Sequence, residues 1–161
     1  MIRLRPYKES DAPIILSWCE TEIDFYKWTA GVLGNYPLTE NDFNEVKALM
    51  PFTAFDDTGI IGFFTLRNPK DSLDKLRFGF VIVDPKVRNK GYGKAMLQKG
   101  LRFVFDIYGA KKASLGVFEN NQSAYYCYKA TGFKDVQYKD EEIYHVLNED
   151  WKCKELELIK Q

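Results

Sequence analysis

The chain of 161 residues is 45% hydrophobic and 29% charged, and its 23 Lys+Arg balance 23 Asp+Glu for a formal net charge of zero. That length supports one domain, 1–161, with a sizeable core; the apolar content argues against disorder, and the charge balance argues against nucleic acid as a partner. No apolar run approaches the ~18 residues of a membrane span, the opening MIRLRPYKESD has no apolar signal core, and the widely spaced Cys19, Cys127 and Cys153 suit free thiols, so a cytoplasmic protein without a membrane partner is expected.

Taken in order, Ile2 to Leu4 can form a first strand, and Ser10 or Asp11 caps a helix that tolerates Pro13 in its first turn. Ile14, Ile15, Trp18 and Cys19 give that helix an apolar face. Residues 20–38 interleave acids and aromatics around Gly31 and Gly34, and read as a loop, or a short helix and loop, with exposed rings. They either line a substrate entrance, since aromatic faces and carboxylates attract ammonium groups, or merely cover the core. Thr39-Glu40-Asn41-Asp42 resembles a capping box, followed by a buried stripe of Phe43, Val46 and Met50 that Pro51 ends. Phe52 to Phe55 and Ile60 to Leu66 then read as a hairpin turned by Asp56-Asp57-Thr58-Gly59.

Leu76 to Val83 is the next strand, halted by Asp84-Pro85 because proline has no N–H for a ladder. Arg88-Asn89-Lys90-Gly91-Tyr92-Gly93-Lys94 follows, and then a helix whose Met96, Gly100, Leu101, Val104 and Tyr108 share one face. Unpartnered N–H groups and the helix dipole at such a start favour an anion, and glycine lets a phosphate approach the backbone closely. The stretch reads as a pyrophosphate cradle. It is not a Walker A loop, because Arg88 stands where the first glycine belongs and Ala95 follows the lysine. Nor is it a dinucleotide fingerprint, because Met96 takes the place of the third glycine.

Ala113 to Val117 is a further apolar strand, and Asn121 or Ser123 starts a short helix ending at Gly132. Phe133 to Gln137, Tyr144 to Leu147 and Trp151 to Ile159 close the chain as strands, with Asn148-Glu149-Asp150 turning between the last two. With one histidine, His145, and no C-x-x-C, no metal site is expected. On the last helix Asn121, Ala124 and Tyr128 fall near one face, because residues three and four apart are neighbours.

Arg-x-x-Gly-x-Gly after a strand-Asp-Pro turn resembles the acetyl-CoA loop of the GNAT superfamily of N-acetyltransferases. Asn121, Ala124, Tyr128 and Gly132-Phe133 fall where that family carries an Asn, a small residue, a Tyr and a Gly-Phe pair. The ending Asn148 to Glu157 resembles a branch related to ribosomal-protein N-terminal and small-amine acetyltransferases. The resemblance implies a single α+β domain with a mixed, mostly antiparallel sheet of six to eight strands and about four helices, parted where acetyl-CoA lies. It further implies that backbone groups at Ile82 and Val83 hold the pantetheine arm, that residues Arg88, Asn89, Lys90, Gly91, Tyr92, Gly93 and Lys94 hold the pyrophosphate, and that Asn121 and Ala124 flank the arm. Tyr128 would point at the sulfur and donate to the leaving thiolate. The acceptor would be a small-molecule or peptide amine, and the protein a monomer or homodimer.

Many family members carry a basic carboxylate in the strand before the loop, whereas Arg77 to Ile82 offer none here. The base must come from elsewhere, with Glu22, Asp24 and Glu119 as candidates, or the amine must arrive neutral. An α-amine of pKa ~8 is roughly one-tenth neutral at pH 7, a lysine-like amine of pKa ~10.4 only about one part in 2,500. Glu22, Asp24, Phe25 and Trp28 are the expected acceptor wall. An acyl-CoA-binding module without efficient catalysis, and a nucleotide-phosphate binder, are the competing readings.

Overall fold

The structure is a computed structural model describing residues 1–137 and 142–161. Its strands are β1 (Arg3–Pro6), β2 (Met50–Asp56), β3 (Gly59–Arg67), β4 (Lys75–Val83), β5 (Lys112–Phe118), β6 (Lys134–Val136), β7 (Glu142–Val146) and β8 (Glu149–Ile159). Its α-helices are α1 (Ala12–Ser17), α2 (Glu22–Thr29), α3 (Glu40–Phe43), α4 (Tyr92–Arg102) and α5 (Gln122–Thr131). The strands form one eight-stranded sheet in the order β1-β2-β3-β4-β5-β8-β6, with β7 also paired to β8. Of the described pairings only β4 with β5 is parallel. The expected α+β architecture is therefore present, with eight strands and five α-helices among the described residues.

Apolar cores lie on both faces of this sheet. Strand β3 is buried at every position from Ile61 to Leu66, which is the pattern of a central strand covered on both sides. Its successive residues Phe63 and Phe64 point to opposite faces and join different cores. Phe64 packs with Leu76, Phe78, Met96, Leu97, Leu101 and Tyr128 under α4 and α5. Phe63 packs with Tyr7, Ile15, Phe25, Phe43 and Ile82 under α1, α2 and α3. Near that second core, the buried carboxylate of Asp11 accepts from both terminal nitrogens of Arg5 at 2.8 and 2.7 Å, from Thr53 Oγ1 at 2.8 Å and from Lys8 N at 3.0 Å. It thereby joins β1, α1 and β2.

Several local expectations are corrected. Residues 20–38 form a short helix and a loop, one of the two expected arrangements, but their rings are buried or half-buried rather than exposed. Thr21 caps α2 by accepting from Asp24 N, Phe25 is 1% exposed, and its ring touches those of Tyr26, Trp28 and Tyr36. Met50 and Pro51 belong to β2 rather than to the end of a helix, because the turn that Thr39 opens tightens to a 3-10 segment over Asn44–Ala48 and stops. A 3-10 turn, Glu9–Asp11, precedes α1, and Ile14, expected on its apolar face, is 46% exposed. The final hairpin turns at Leu147 and Asn148, both left-handed (φ 51 and 64), and β8 already begins at Glu149.

Candidate active site

The sheet forks at its centre. β4 and β5 pair only at Lys75–Lys112, Leu76–Ala113 and Arg77–Ser114. Arg77 donates to both carboxylate oxygens of Glu155 on β8, across β5, and so pins the base of the fork. Beyond it a cleft of about 2040 Å³ opens between the strands. The phase of β4 follows from one bond, Asp84 N–H to Ile61 O at 2.9 Å. Hydrogen-bonding direction alternates along an antiparallel strand, so Ile82, opposite Phe63, bonds toward β3. The backbone groups of Val81 and Val83 then face the parted side, where β5 gives them no ladder partner.

A β-bulge sets that phase. β4 pairs with β3 at Phe63↔Ile82 and again at Thr65↔Gly79, so β4 carries one extra residue between them. Phe80 takes up the irregularity at φ 49, a left-handed conformation that costs a bulky residue roughly 1–3 kcal/mol. Trp28 Nε1 donates to the Phe80 carbonyl at 2.9 Å.

At the open end, Asp84 accepts from Lys86 N and Pro85–Val87 form a 3-10 turn. Asn89 and Gly91 are left-handed (φ 63 and 81), and α4 starts at Tyr92. Ile82, Val83, Arg88, Asn89, Gly91, Tyr92, Gly93 and Lys94 all line the cleft, while the exposed Lys90 does not. A Cβ on Gly91 would meet nothing within 4 Å, so this part of the turn is open to a ligand. Gly93 is different: a Cβ there would lie 3.1 Å from Cys127 Sγ on α5, so its smallness serves close packing of two helices as well as access. Arg88 Nε donates to Val83 O at 3.3 Å.

From the other side of the cleft, Asn121 caps α5, its Oδ1 accepting from Ala124 N at 3.4 Å. Both residues line the cleft. Tyr128 also lines it, yet its residue surface is only 7% exposed. Burial, and then the neighbouring Cys127, hold its phenol well above the usual tyrosine range. Among the described residues nothing hydrogen-bonds its hydroxyl, and no fully buried side-chain oxygen is left unpartnered. The hydroxyl therefore opens onto the cleft rather than being sealed in the core.

On the α2 face, Asp24 and Trp28 line the cleft, but Glu22 and Phe25 do not; Glu22 is exposed in the first turn of α2 and Phe25 is core. Glu119 lines the cleft as expected, and so do three carboxylates that the sequence reading missed, Asp135, Glu142 and Glu155. Glu142 accepts from Tyr144 Oη, and burial followed by that carboxylate pushes the Tyr144 pKa up to about 12. A period-2 signal was available: Glu142 and Tyr144 share one face of β7, and Cys153, Glu155 and Glu157 share one face of β8, the two glutamates alternating with the buried Leu156 and half-buried Leu158.

A mixed sheet forked between its two parallel strands, with a glycine turn and a helix start at the mouth and a tyrosine hydroxyl inside, defines a GNAT-type acyltransferase. The profile of the acetyltransferase (GNAT) family matches residues 15–133, and the chain belongs to that family. No curated protein matches it significantly in sequence. Among solved structures it is similar to spermidine N-acetyltransferase from Vibrio cholerae in complex with CoA and spermine, with 19% identity, a TM-score of 0.80, and coverage of 98% of this chain and 95% of that one. It is likewise similar to an acetyltransferase (GNAT family) from Bacillus anthracis, with 19% identity, a TM-score of 0.79 and coverage of 98% and 94%.

Proposed function

We propose that residues 1–161 act as one acetyl-CoA-dependent N-acetyltransferase domain that moves an acetyl group to a primary amine by direct attack. One observation carries this reading: Tyr128, whose hydroxyl has no hydrogen-bond partner among the described residues, lines the same fork as the stretch of β4 that β5 leaves without a ladder partner. An extended ligand with amide groups can pair with Val81 and Val83 as a strand would, and its phosphates suit Gly91 and the start of α4. Acetyl-CoA supplies the activated thioester. The amine forms a C–N bond to the acetyl carbon, the C–S bond breaks, and CoA leaves as thiolate. Tyr128 donates a hydrogen bond to that sulfur. Its raised pKa keeps the proton on the phenol, so stabilisation comes from the hydrogen bond, and the proton lost by the amine neutralises the thiolate by way of solvent or a cleft carboxylate.

Asp24, Glu119 and Glu142 supply the carboxylates that Arg77 to Ile82 lack. With these available, the acceptor need not be an α-amine, and a polyamine or peptide amine suits the cleft as well. The free cysteines suit a reducing, cytoplasmic setting. Thiol release from acetyl-CoA across peptides, polyamines, aminoglycosides and amino acids tests the reading. Saturable release with at least one amine class is expected, and Asp24→Ala should raise the KM for that amine. Tight acetyl-CoA binding without release to any amine would replace the enzyme with an acyl-CoA-binding module.

A further inference from the structure

Trp28 does something the acceptor-wall reading does not explain. Its ring is held by packing, 5.7 Å from the Phe43 centroid and 6.3 Å from that of Phe25. Its N–H is spent on one backbone carbonyl, 52 residues away, at the single irregular position of β4. That carbonyl belongs to the Phe80–Val81 peptide. Because a trans peptide is planar, its C=O and N–H point in opposite directions, and fixing the Phe80 oxygen fixes the Val81 N–H. Val81 is one of the residues whose backbone faces the cleft. Phe80 itself is an unfavourable residue for φ 49, so the bulge needs an outside tie to persist.

We infer that Trp28 is a positioning residue for acetyl transfer, in that its indole N–H locks the Phe80 bulge and thereby aims the Val81 N–H into the cleft, coupling helix α2 to the acyl-donor strand. This rests on the acetyl-transfer reading above. It differs from a wall contact in which kinetic constant it touches. A group that only contacts the amine changes the amine KM; one that aims a backbone donor at the thioester changes kcat.

The test is a double-mutant cycle. Trp28→Phe keeps an aromatic ring and deletes the donor; 3-benzothienylalanine at position 28 keeps the indole shape and deletes only the N–H. Both should lower kcat by about 10-fold to 100-fold, the scale of a small misplacement of reacting groups, with the KM values for acetyl-CoA and amine within about twofold. Phe80→Gly removes the conformational penalty, since glycine takes positive φ freely. In that background the Trp28 substitutions should cost less than about threefold. The amide resonance of Val81 should shift in the benzothienylalanine variant and keep its wild-type position in Tyr126→Phe. An equal kcat penalty in both backgrounds, an effect confined to the amine KM, or an unmoved Val81 resonance overturns the inference. Wild-type protein that releases no thiol overturns the acetyl-transfer reading instead, and the Val81 resonance still reports on the bulge.

Discussion

Replacing Tyr128 with Phe separates folding from chemistry unusually well. The ring packs against Phe133 at 6.4 Å between centroids and sits in the core beneath α4 and α5. Phenylalanine keeps all of that packing. The hydroxyl it deletes bonds to no described residue and opens on the cleft, so no protein partner is orphaned, and stability should change by less than about 0.5 kcal/mol. Loss of one hydrogen-bond donor to a developing anion typically costs about 10²–10³-fold, or roughly 2.7–4 kcal/mol of barrier. The expected result is thus a kcat loss of that order with Tm and acetyl-CoA affinity essentially unchanged, for every amine accepted, because the thiolate is common to all. The assay is thiol release under single turnover, so that product release does not mask chemistry. Tyr125→Phe, which loses its bonds to Asp135, and Tyr126→Phe, on a ring 66% exposed, serve as controls and should keep most activity. Retention of single-turnover rate in Tyr128→Phe would falsify the role assigned to the hydroxyl.

Three further outcomes are expected. Gly93→Val should destabilise the fold by about 1–3 kcal/mol, because its Cβ meets Cys127 Sγ at 3.1 Å and Val83 Cγ2 at 3.7 Å; in Gly93→Ala with Cys127→Ala folding should recover, and any loss of acetyl-CoA thermal shift that remains measures the phosphate contact alone. Gly100→Ala gains about 1 kcal/mol of helix propensity but drives a methyl to 2.8 Å from Phe78 and 3.0 Å from Phe64, so chemical denaturation should show a net loss of up to about 2 kcal/mol, and a gain would mean that α4 can lift off the sheet. For Asp11, burial pushes the carboxyl up, but Arg5, Lys8 N–H and Thr53 together outweigh it and leave the pKa below the usual value. A carboxyl depressed in the folded state stabilises above its unfolded pKa of ~3.9 and loses that contribution as pH falls through the folded value. Asp11→Asn should therefore cost about 1.5–3 kcal/mol at pH 7, the scale of hydrogen bonds to a charged group, with the Tm gap to wild type narrowing below about pH 4; a gap of constant size would show that charge is not involved.

What the sequence discloses here is local grammar. Asp84-Pro85 stops β4, Asn121 caps α5, Thr39 caps α3 and Gly132 ends α5, each through chemistry carried by the residue itself. The fold class follows from the order of such signals. The cleft is less legible, because its polar half is assembled from residues far apart in the chain. Glu155 meets Arg77 across 78 positions and Trp28 meets Phe80 across 52, and no spacing rule reaches that far. Residues 20–38 mislead for a related reason: mixed acids and rings look like surface, but α2 turns Phe25 inward while leaving Asp24 outside. Phe80 at positive φ is invisible in a strand of apolar residues, since only the slip in pairing against β3 creates it.

A sheet forked in its interior has four rims rather than two. Proteins blunt outer rims with charge, proline or short strands, because a row of free N–H and C=O groups recruits any extended chain. Here the inner pair of rims, on β4 beyond Arg77 and on the facing stretch of β5, instead stays parted past the last rung, Arg77–Ser114, where Arg77 is tied across β5 to Glu155. The hunger of an unfinished ladder is thereby turned inward, where only a slender molecule bearing its own amides can satisfy it.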